Sequence, residues 1–242
     1  MSALINLMHM QIRRQKQGLK TVPVSLHLVF SGNPGTGKTT VARILAEVYK
    51  EIGVLSEGQL IEVDRSGLVA GYVGQTAIKT QEKIEEAIGG ILFVDEAYTL
   101  VKDGNDYGQE AIDTILKAME DHRDDFIVIV AGYTKQMKDF IDSNPGLKSR
   151  FNKFIEFPDY TADELVQIFT KMCVEYDFEM TAEAMEIMKK RIYTMEKNKN
   201  ENFANARDVR NMFEKVITNQ ATRLAKNPMD DIKRIVADDF VL

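Results

Sequence analysis

The sequence predicts an α/β fold in which a parallel five-stranded sheet, flanked by helices, is followed by an all-helical domain. Short apolar runs alternate with helical patterns through the first part of the chain, as in parallel sheets with right-handed crossovers. The runs Ile91–Val94 and Ile127–Ala131 are apolar throughout, which indicates strands covered on both faces. After Pro158 the pattern is helical only. We therefore predict an α/β domain over residues 1–159 and a helical domain over residues 160–242.

The elements of the first domain follow from hydrophobic periodicity and from punctuation by glycine and proline. Helices carry apolar residues three and four positions apart, whereas strands are short apolar runs that end at a loop. The predicted strands are 26–31, 60–64, 91–94, 127–131 and 153–157. The predicted helices are 2–18, 41–53, 75–88, one around 112–119 and 135–141, with a loop over 65–74 and a turn at 144–146.

The helices of the second domain are marked by capping residues. Thr161 and Glu164 have the spacing of a capping box, which predicts a helix that ends near Tyr176. Thr181 is suited to cap a second helix. Asn205 is suited to cap a third helix that ends near residue 225.

Composition excludes several classes of protein. The 242 residues are 44% hydrophobic and 28% charged, which is ordinary for a globular protein. The net charge is −6 and no long basic stripe occurs, so we do not expect nucleic acid or an anionic membrane surface as the main partner. The apolar stretches are short and interrupted by charge. We expect no membrane insertion and a cytoplasmic location.

Cysteine and histidine give no sign of a disulfide or a zinc site. Cys173 is the only cysteine, which excludes an intramolecular disulfide and fits a reducing compartment. It shares a helical stripe with Leu165 and Phe169, which favours a core position over a catalytic one. The histidines lack metal-ligand spacing. They are His9, His27 and His122.

The stretch Gly32–Thr39 fits the pattern GxxxxGK[ST] between a predicted strand and a predicted helix. Glycines in such a loop let backbone N–H groups approach a phosphate chain closely, and the lysine reaches the terminal phosphates. The threonine hydroxyl that follows binds Mg²⁺. A chance glycine-rich turn is the alternative, but it would not require a strand before it and a helix after it. The residues predicted to bind nucleotide are Asn33, Pro34, Gly35, Thr36, Gly37, Lys38, Thr39 and Thr40.

Asp95 and Glu96 follow the apolar strand 91–94 directly. The carboxyl ends of parallel strands meet at one edge of the sheet, so this pair should lie at the same edge as the glycine-rich loop. Asp95 is predicted to hold Mg²⁺ together with Thr39, and Glu96 to orient and deprotonate an attacking water. A pair of carboxylates at a helix N-terminus is the alternative. The predicted cofactors are therefore ATP and Mg²⁺.

Several strings resemble AAA+ ATPases of the branch that includes stage V sporulation protein K, the red-type Rubisco activases and ATPase modules of type VII secretion systems. They extend from Phe30 to Asn211 and are FSGNPGTGKTT, GYVGQTA, GGILFVDEAY, DYGQEAI, AGY, NPGLKSRF, EFPDY and FANARDVRN. The resemblance implies a homo-hexameric ring with a nucleotide at each subunit interface. The domain before residue 160 would be the large domain, and the helical domain would be its lid.

The resemblance also assigns roles to two arginines. Arg150, in the string KSRF, matches the arginine finger that reaches the γ-phosphate of the neighbouring subunit. Arg207, in the string NAR, matches the sensor 2 arginine, with Arg210 as its nearest competitor. A surface arginine in an ion pair is the alternative for each.

Tyr72, Val73 and Gly74 match the pore loop of this family, in which an aromatic residue faces a central channel. A large, flat apolar side chain can contact many peptide sequences without selecting one. From the residues alone, a buried tyrosine that anchors its own loop would be favoured; the resemblance favours the pore. The loop 102–107 is a candidate second pore loop.

The chain departs from the family pattern in two places. Most AAA+ proteins have a polar residue, often asparagine, after the strand that corresponds to 127–131. Here the chain continues Gly132-Tyr133-Thr134, and either Tyr133 or Thr134 could take that role. Relatives also have a stretch before the first helix that closes the adenine pocket. This chain begins within that helix, so we expect a shortened helix and weakened nucleotide affinity and ring assembly.

The sequence therefore predicts an ATPase that remodels or threads a protein substrate through a hexameric pore. A nucleotide-gated scaffold with slow turnover is the main alternative. A DNA-directed motor is a weaker one, because the net charge and the aromatic pore loop oppose it. The motifs do not distinguish among sporulation, Rubisco activation and secretion.

Overall fold

The computed structural model describes residues 2–20, 24–72, 74–101, 107–200 and 203–241. The chain divides into two compact units. The first unit comprises Met1–Gly32 and Lys38–Phe157, and the second comprises Asn33–Gly37 and Pro158–Leu242.

The first unit is built on a five-stranded sheet in which all strand pairs are parallel. The strand order is β2-β3-β4-β1-β5. The strands are β1 (Leu28–Gly32), β2 (Leu60–Val63), β3 (Ile91–Val94), β4 (Ile127–Gly132) and β5 (Phe154–Phe157). The helices are α1 (Ser2–Lys16), α2 (Lys38–Glu51), α3 (Arg65–Leu68), α4 (Gln75–Ala87), α5 (Gly108–Asp121), α6 (Thr134–Asp142) and α7 (Pro145–Arg150), with a 3₁₀ helix over Ala97–Leu100.

The central strands place alternate side chains in two separate cores, as uninterrupted apolar strands should. In β3, Ile91 and Phe93 pack in the core that contains Leu45 and Tyr49 of α2. Leu92 and Val94, which alternate with them along the strand, pack in the core formed with α4, α5 and α6. The prediction of a parallel five-stranded sheet flanked by helices is confirmed.

Two segments predicted as irregular are short helices. The stretch 65–68 forms α3 because Asp64 caps it, accepting a hydrogen bond from the backbone N of Gly67 at 3.0 Å. Residues 145–150, of which only a turn at 144–146 was predicted, form α7. Asn144 accepts from the backbone N of Gly146 at 2.7 Å, and Pro145 occupies the first turn.

The second unit contains α8 (Ala162–Glu175), α9 (Ala182–Lys197) and α10 (Ala206–Lys226). The capping box of Thr161 and Glu164 is present, and Thr181 caps α9. Asn205 precedes α10, but its side chain makes no capping bond, so the prediction of a side-chain cap is wrong. The unit also contains a parallel pair of two-residue strands, β6 (Glu179–Met180) and β7 (Arg234–Ile235), and a 3₁₀ helix over Ala237–Phe240.

Cys173 is buried in the core of this unit with Leu165 and Phe169, as the helical stripe predicts. Burial raises the pKa of its thiol to about 11, which keeps the sulfur protonated at neutral pH. Within the ranges given above, no helix is both long and apolar enough to cross a lipid bilayer.

Candidate functional site

A five-residue connection, residues 33–37, joins β1 to α2; we call it the glycine loop. β1 ends at Gly32 and α2 begins at Lys38. Gly35 and Gly37 have φ angles of +69° and +90°, in the region that residues with a Cβ rarely adopt. The Thr36 hydroxyl donates to the Asn33 carbonyl at 2.8 Å, which closes the loop on itself. The strand, loop and helix follow in the order that the motif requires.

Lys38 and Thr39 form the first turn of α2, in the first unit. The Lys38 ammonium donates to the Gly32 carbonyl at 2.9 Å. The Thr39 hydroxyl is 3.4 Å from Oε1 of Glu62 on β2 and donates toward it. Glu62 was not predicted as a site residue. Its signal in the sequence is the one charged position in the otherwise apolar strand 60–63.

Asp95 and Glu96 follow β3 at its carboxyl end. The backbone N of Asp95 donates to the Val63 carbonyl at 2.8 Å, which holds Asp95 beside the end of β2. The backbone N of Glu96 donates to Oδ1 of Asp95 at 3.0 Å. Glu96 is exposed and has the left-handed angles φ 47° and ψ 41°. A strained residue of this kind is frequent at functional sites.

Tyr98 connects this turn to the end of β4. Its ring packs so closely over Gly132 that a Cβ there would lie 2.7 Å from a ring carbon. The rings of Tyr98 and Tyr133 are 6.2 Å apart. Burial, followed by the negative charge of Glu96, raises the pKa of Tyr98 to about 12. The sequence gives Tyr98 no role, but its hydroxyl is a neutral group near Glu96 across the physiological pH range.

Arg150 is the last residue of α7, and its side chain is 31% exposed. Its guanidinium lies 3.6 Å from Oε2 of Glu120 on α5. Its Nε is buried and, among the described residues, has no hydrogen-bond partner. The ion pair with Glu120 therefore involves Nη2 of Arg150, while Nε makes no hydrogen bond to the described residues.

Arg207 lies in the first turn of α10, in the second unit. Its backbone N donates to the Ala204 carbonyl at 2.9 Å. A Cβ built on Gly35 would be 2.9 Å from that same nitrogen. The start of α10 and the glycine loop are therefore in direct contact within this unit.

Models of two families match the chain. The model for the ATPase family associated with various cellular activities, AAA, matches residues 28–159, and that for the AAA lid domain matches residues 161–242. Stage V sporulation protein K of Bacillus subtilis (strain 168) is 47% identical over 214 residues, which cover 88% of this chain and 66% of that protein. The chain belongs to the AAA family of ATPases.

Two further likenesses agree with the AAA assignment. The chloroplastic ribulose bisphosphate carboxylase/oxygenase activase of Cyanidioschyzon merolae (strain NIES-3377 / 10D) is 45% identical over 235 residues, covering 94% of this chain and 80% of that protein. The crystal structure of the FIGL-1 AAA domain in complex with ADP superposes with a TM-score of 0.67 at 16% identity, covering 99% of this chain and 77% of that chain. This second likeness shows the shared fold. The chain spans about two thirds of the length of stage V sporulation protein K.

The AAA pore-loop candidate is partly described. Tyr72 is 74% exposed, so it is not the buried anchor of its own loop. Gly74 precedes α4 with φ 77°. Val73 and residues 102–106 of the candidate second pore loop lie outside the described residues.

Thr39, in the first turn of α2, and Asp95, directly after β3, are residue types that suit Mg²⁺ bound to a nucleotide. No group of three or more His, Cys, Asp or Glu side chains in the described ranges could hold a metal ion by itself. Mg²⁺ usually takes one or two protein oxygens beside phosphate and water. The Thr39 hydroxyl and the Asp95 carboxylate are such oxygens.

Proposed function

We propose that this AAA protein is a Mg²⁺-dependent ATPase that couples hydrolysis to remodelling or threading of a protein substrate through a hexameric pore. The observation that carries the proposal is the combination of the glycine loop and Lys38 after β1 with Asp95 and Glu96 after β3. These are the phosphate-binding and metal-binding parts of a phosphoryl-transfer site.

In the proposed reaction, Glu96 orients a water whose oxygen forms a bond to the γ-phosphorus of ATP. The bond from that phosphorus to the β–γ bridging oxygen breaks, and the electron pair leaves with ADP. Glu96 accepts the proton of the water. Lys38 neutralises charge on the β- and γ-phosphates, and Thr39 and Asp95 would hold Mg²⁺, which stabilises negative charge on the phosphates when bound.

Two arginines complete the proposed site. Arg150 would act on the nucleotide of the neighbouring subunit in a homo-hexamer, because an arginine finger supplied in trans stabilises the charge of the transition state. Its unpartnered Nε supports this role. Arg207 would sense the γ-phosphate from the second unit, and its contact with Gly35 of the glycine loop supports that role.

The exposure of Tyr72 favours the threading motor over a nucleotide-gated scaffold. A motor must present a side chain to its substrate, and an exposed tyrosine provides a broad apolar surface. The identity of the protein substrate is not encoded in these residues, so an unfolded protein such as casein is the appropriate probe.

The test of the proposed function is ATP hydrolysis by the whole chain with and without Mg²⁺, measured as phosphate release. We expect hydrolysis that requires Mg²⁺ and is lost in Lys38→Ala. Lys50→Ala, on the same helix but at its exposed end, is the matched control and should hydrolyse like the parent. Equal hydrolysis by Lys38→Ala and the parent would contradict the proposal.

A further inference from the structure

Asn205 is buried in a backbone conformation that few residues other than glycine adopt. Its angles are φ 51° and ψ −123°, and it is 0% exposed. Such a conformation persists only where the surroundings hold it. The Asn205 side chain shows what holds it: Oδ1 accepts from the backbone N of Tyr160 at 3.0 Å, and Nδ2 donates to the Pro34 carbonyl at 3.2 Å and to Oδ1 of Asp159 at 2.9 Å.

Asp159 joins the same network from the other side. Its Oδ1 also accepts from Nδ2 of Asn33 at 2.8 Å, and its Oδ2 lies 3.8 Å from the Lys199 ammonium. Oδ1 of Asp159 therefore accepts two hydrogen bonds. One comes from Asn33 in the glycine loop, and the other comes from Asn205, the residue before α10. We call Asp159 and Asn205 the loop clamp.

Three successive carbonyls of the glycine loop are held by donors from the second unit's later segments. The Pro34 carbonyl accepts from Asn205, the Gly35 carbonyl from the backbone N of Ala206 at 3.2 Å, and the Thr36 carbonyl from the Tyr160 hydroxyl at 3.2 Å. The peptide unit is planar and trans, so each carbonyl and the N–H of the next residue point in opposite directions. Holding these carbonyls therefore turns the N–H groups of residues 35, 36 and 37 away from the clamp.

We propose that Asp159 and Asn205 are positioning residues that set the orientation of the glycine-loop amides for phosphate binding and tie the first turn of α10, which carries Arg207, to the same loop. Neither residue is proposed to contact the phosphates. Asn205 acts through the Pro34 carbonyl, and Asp159 acts through the side chains of Asn33 and Asn205. The inference rests on the proposed nucleotide site. It adds a contact that would couple the position of Arg207 to that of the glycine loop when a nucleotide binds.

The direct test is the affinity of Asn205→Asp for fluorescent ADP, measured by titration. The substitution keeps the size of the side chain but removes both N–H donors and adds a negative charge beside Asp159. We expect the dissociation constant to rise by about tenfold or more, since buried groups lose hydrogen bonds to a charged partner. Asn227→Asp, at the exposed C-terminal end of α10, is the matched control and should bind like the parent.

Asp159→Asn separates positioning from general loss of structure. The asparagine keeps an oxygen that can accept from Asn33 and Asn205, so it should bind ADP within about threefold of the parent. Asp159→Ala removes the acceptor and should weaken binding by about tenfold. If Asp159→Ala and Asn205→Asp both fold and bind ADP as the parent does, the clamp is not a positioning device.

A double-mutant cycle between Asn33→Ala and Asp159→Ala tests the contact itself. Because both substitutions break the same hydrogen bond, the double variant should bind ADP little worse than the weaker single variant. Independent, multiplicative losses would overturn the inference. If the parent protein does not bind ADP at all, the proposed function fails instead, and the two failures are thus distinguishable.

Discussion

Two aspartates that follow strands of the sheet are used in opposite ways. Asp95, directly after β3, has an oxygen that accepts from the backbone N of the next residue. Asp159, two residues after β5, receives Asn33 and Asn205 on one oxygen and faces Lys199 with the other. A carboxylate held by its own turn keeps lone pairs for a metal or its water, whereas one filled by side-chain donors holds other segments in place. The same residue type is thus proposed to bind a metal in the first unit and to hold chain segments together in the second.

The largest expected loss of activity is that of Arg150→Ala, which removes the charge proposed to act on the nucleotide of the neighbouring subunit. Arg150→Ala should lower the rate of ATP hydrolysis on the order of 10³-fold or more, as loss of an arginine finger does, while ADP affinity stays within about threefold because the residue does not hold the ground-state nucleotide. Arg123→Ala is the matched control, since Arg123 lies 3.8 Å from the same Glu120 carboxylate group. Equal rates for the two variants would remove Arg150 from the site.

Glu96→Gln tests whether the residue after Asp95 is the base that activates water. The amide cannot accept a proton, so phosphate release should fall by about 10²- to 10⁴-fold. ATP binding should remain, because Lys38 and the glycine loop are unchanged. Glu82→Gln, on the exposed face of α4, is the control. Hydrolysis near the parent rate in Glu96→Gln would assign the base elsewhere.

Tyr72→Ala distinguishes a motor from a scaffold. We expect basal hydrolysis within about twofold of the parent, since the exposed ring has no proposed contact with nucleotide. Stimulation of hydrolysis by casein should disappear. Tyr176→Ala, which removes another exposed aromatic ring, should keep that stimulation. Casein stimulation that survives in Tyr72→Ala would favour the scaffold.

The pH dependence of stability tests whether the Asp159 carboxylate holds the second unit together. Burial acts to raise the pKa of Asp159, but hydrogen bonds from Asn205 and Asn33 outweigh it, so the pKa lies below its ordinary value of 3.8. A lowered pKa means that the charged form contributes stability above about pH 4, which is lost as the pH falls through the folded-state pKa. Denaturant unfolding should therefore show a steeper loss of stability below about pH 4 in the parent than in Asp159→Asn. Identical pH profiles would mean that the clamp carries no net charge effect.

The smallest expected effect belongs to Glu120. Its ion pair with Arg150 spans 3.6 Å between a 31% and a 63% exposed side chain, and such surface pairs contribute little. Glu120→Gln should change hydrolysis by no more than about twofold. A loss as large as that of Arg150→Ala would show that Glu120 positions the finger.

Much of the fold could be predicted because its signals are local. Uninterrupted runs such as 91–94 and 127–131 predict strands covered on both faces, and Thr161 and Thr181 predict helix starts that the structure confirms. The helix α7 was missed because six residues carry too little periodicity to distinguish a helix from a turn. The strands β6 and β7 are two residues each and pair across 54 residues of chain, which no local pattern reveals.

The candidate site likewise contains residues that the sequence predicts and residues that only the structure identifies. The motif residues 32–39 and the pair after β3 are adjacent in sequence, so their chemistry is legible from spacing. Tyr98 acquires its surroundings only by packing over Gly132, and Asn205 only by bonding to Pro34 and Asp159. Asn205 is of a residue type common at helix N-caps, but its Oδ1 accepts from the backbone N of Tyr160 instead. Roles that depend on contacts distant in sequence could not be predicted from one chain.

If Arg150 of a neighbouring subunit completes each nucleotide site, mixing two inactive variants should restore hydrolysis. Arg150→Ala retains Glu96, and Glu96→Gln retains Arg150, so a mixed ring contains some sites with both groups. In an equal mixture with random assembly into closed rings, about a quarter of the sites should be complete. We predict hydrolysis by the mixture far above the sum of the separate variants. A mixture no more active than that sum would contradict the shared site.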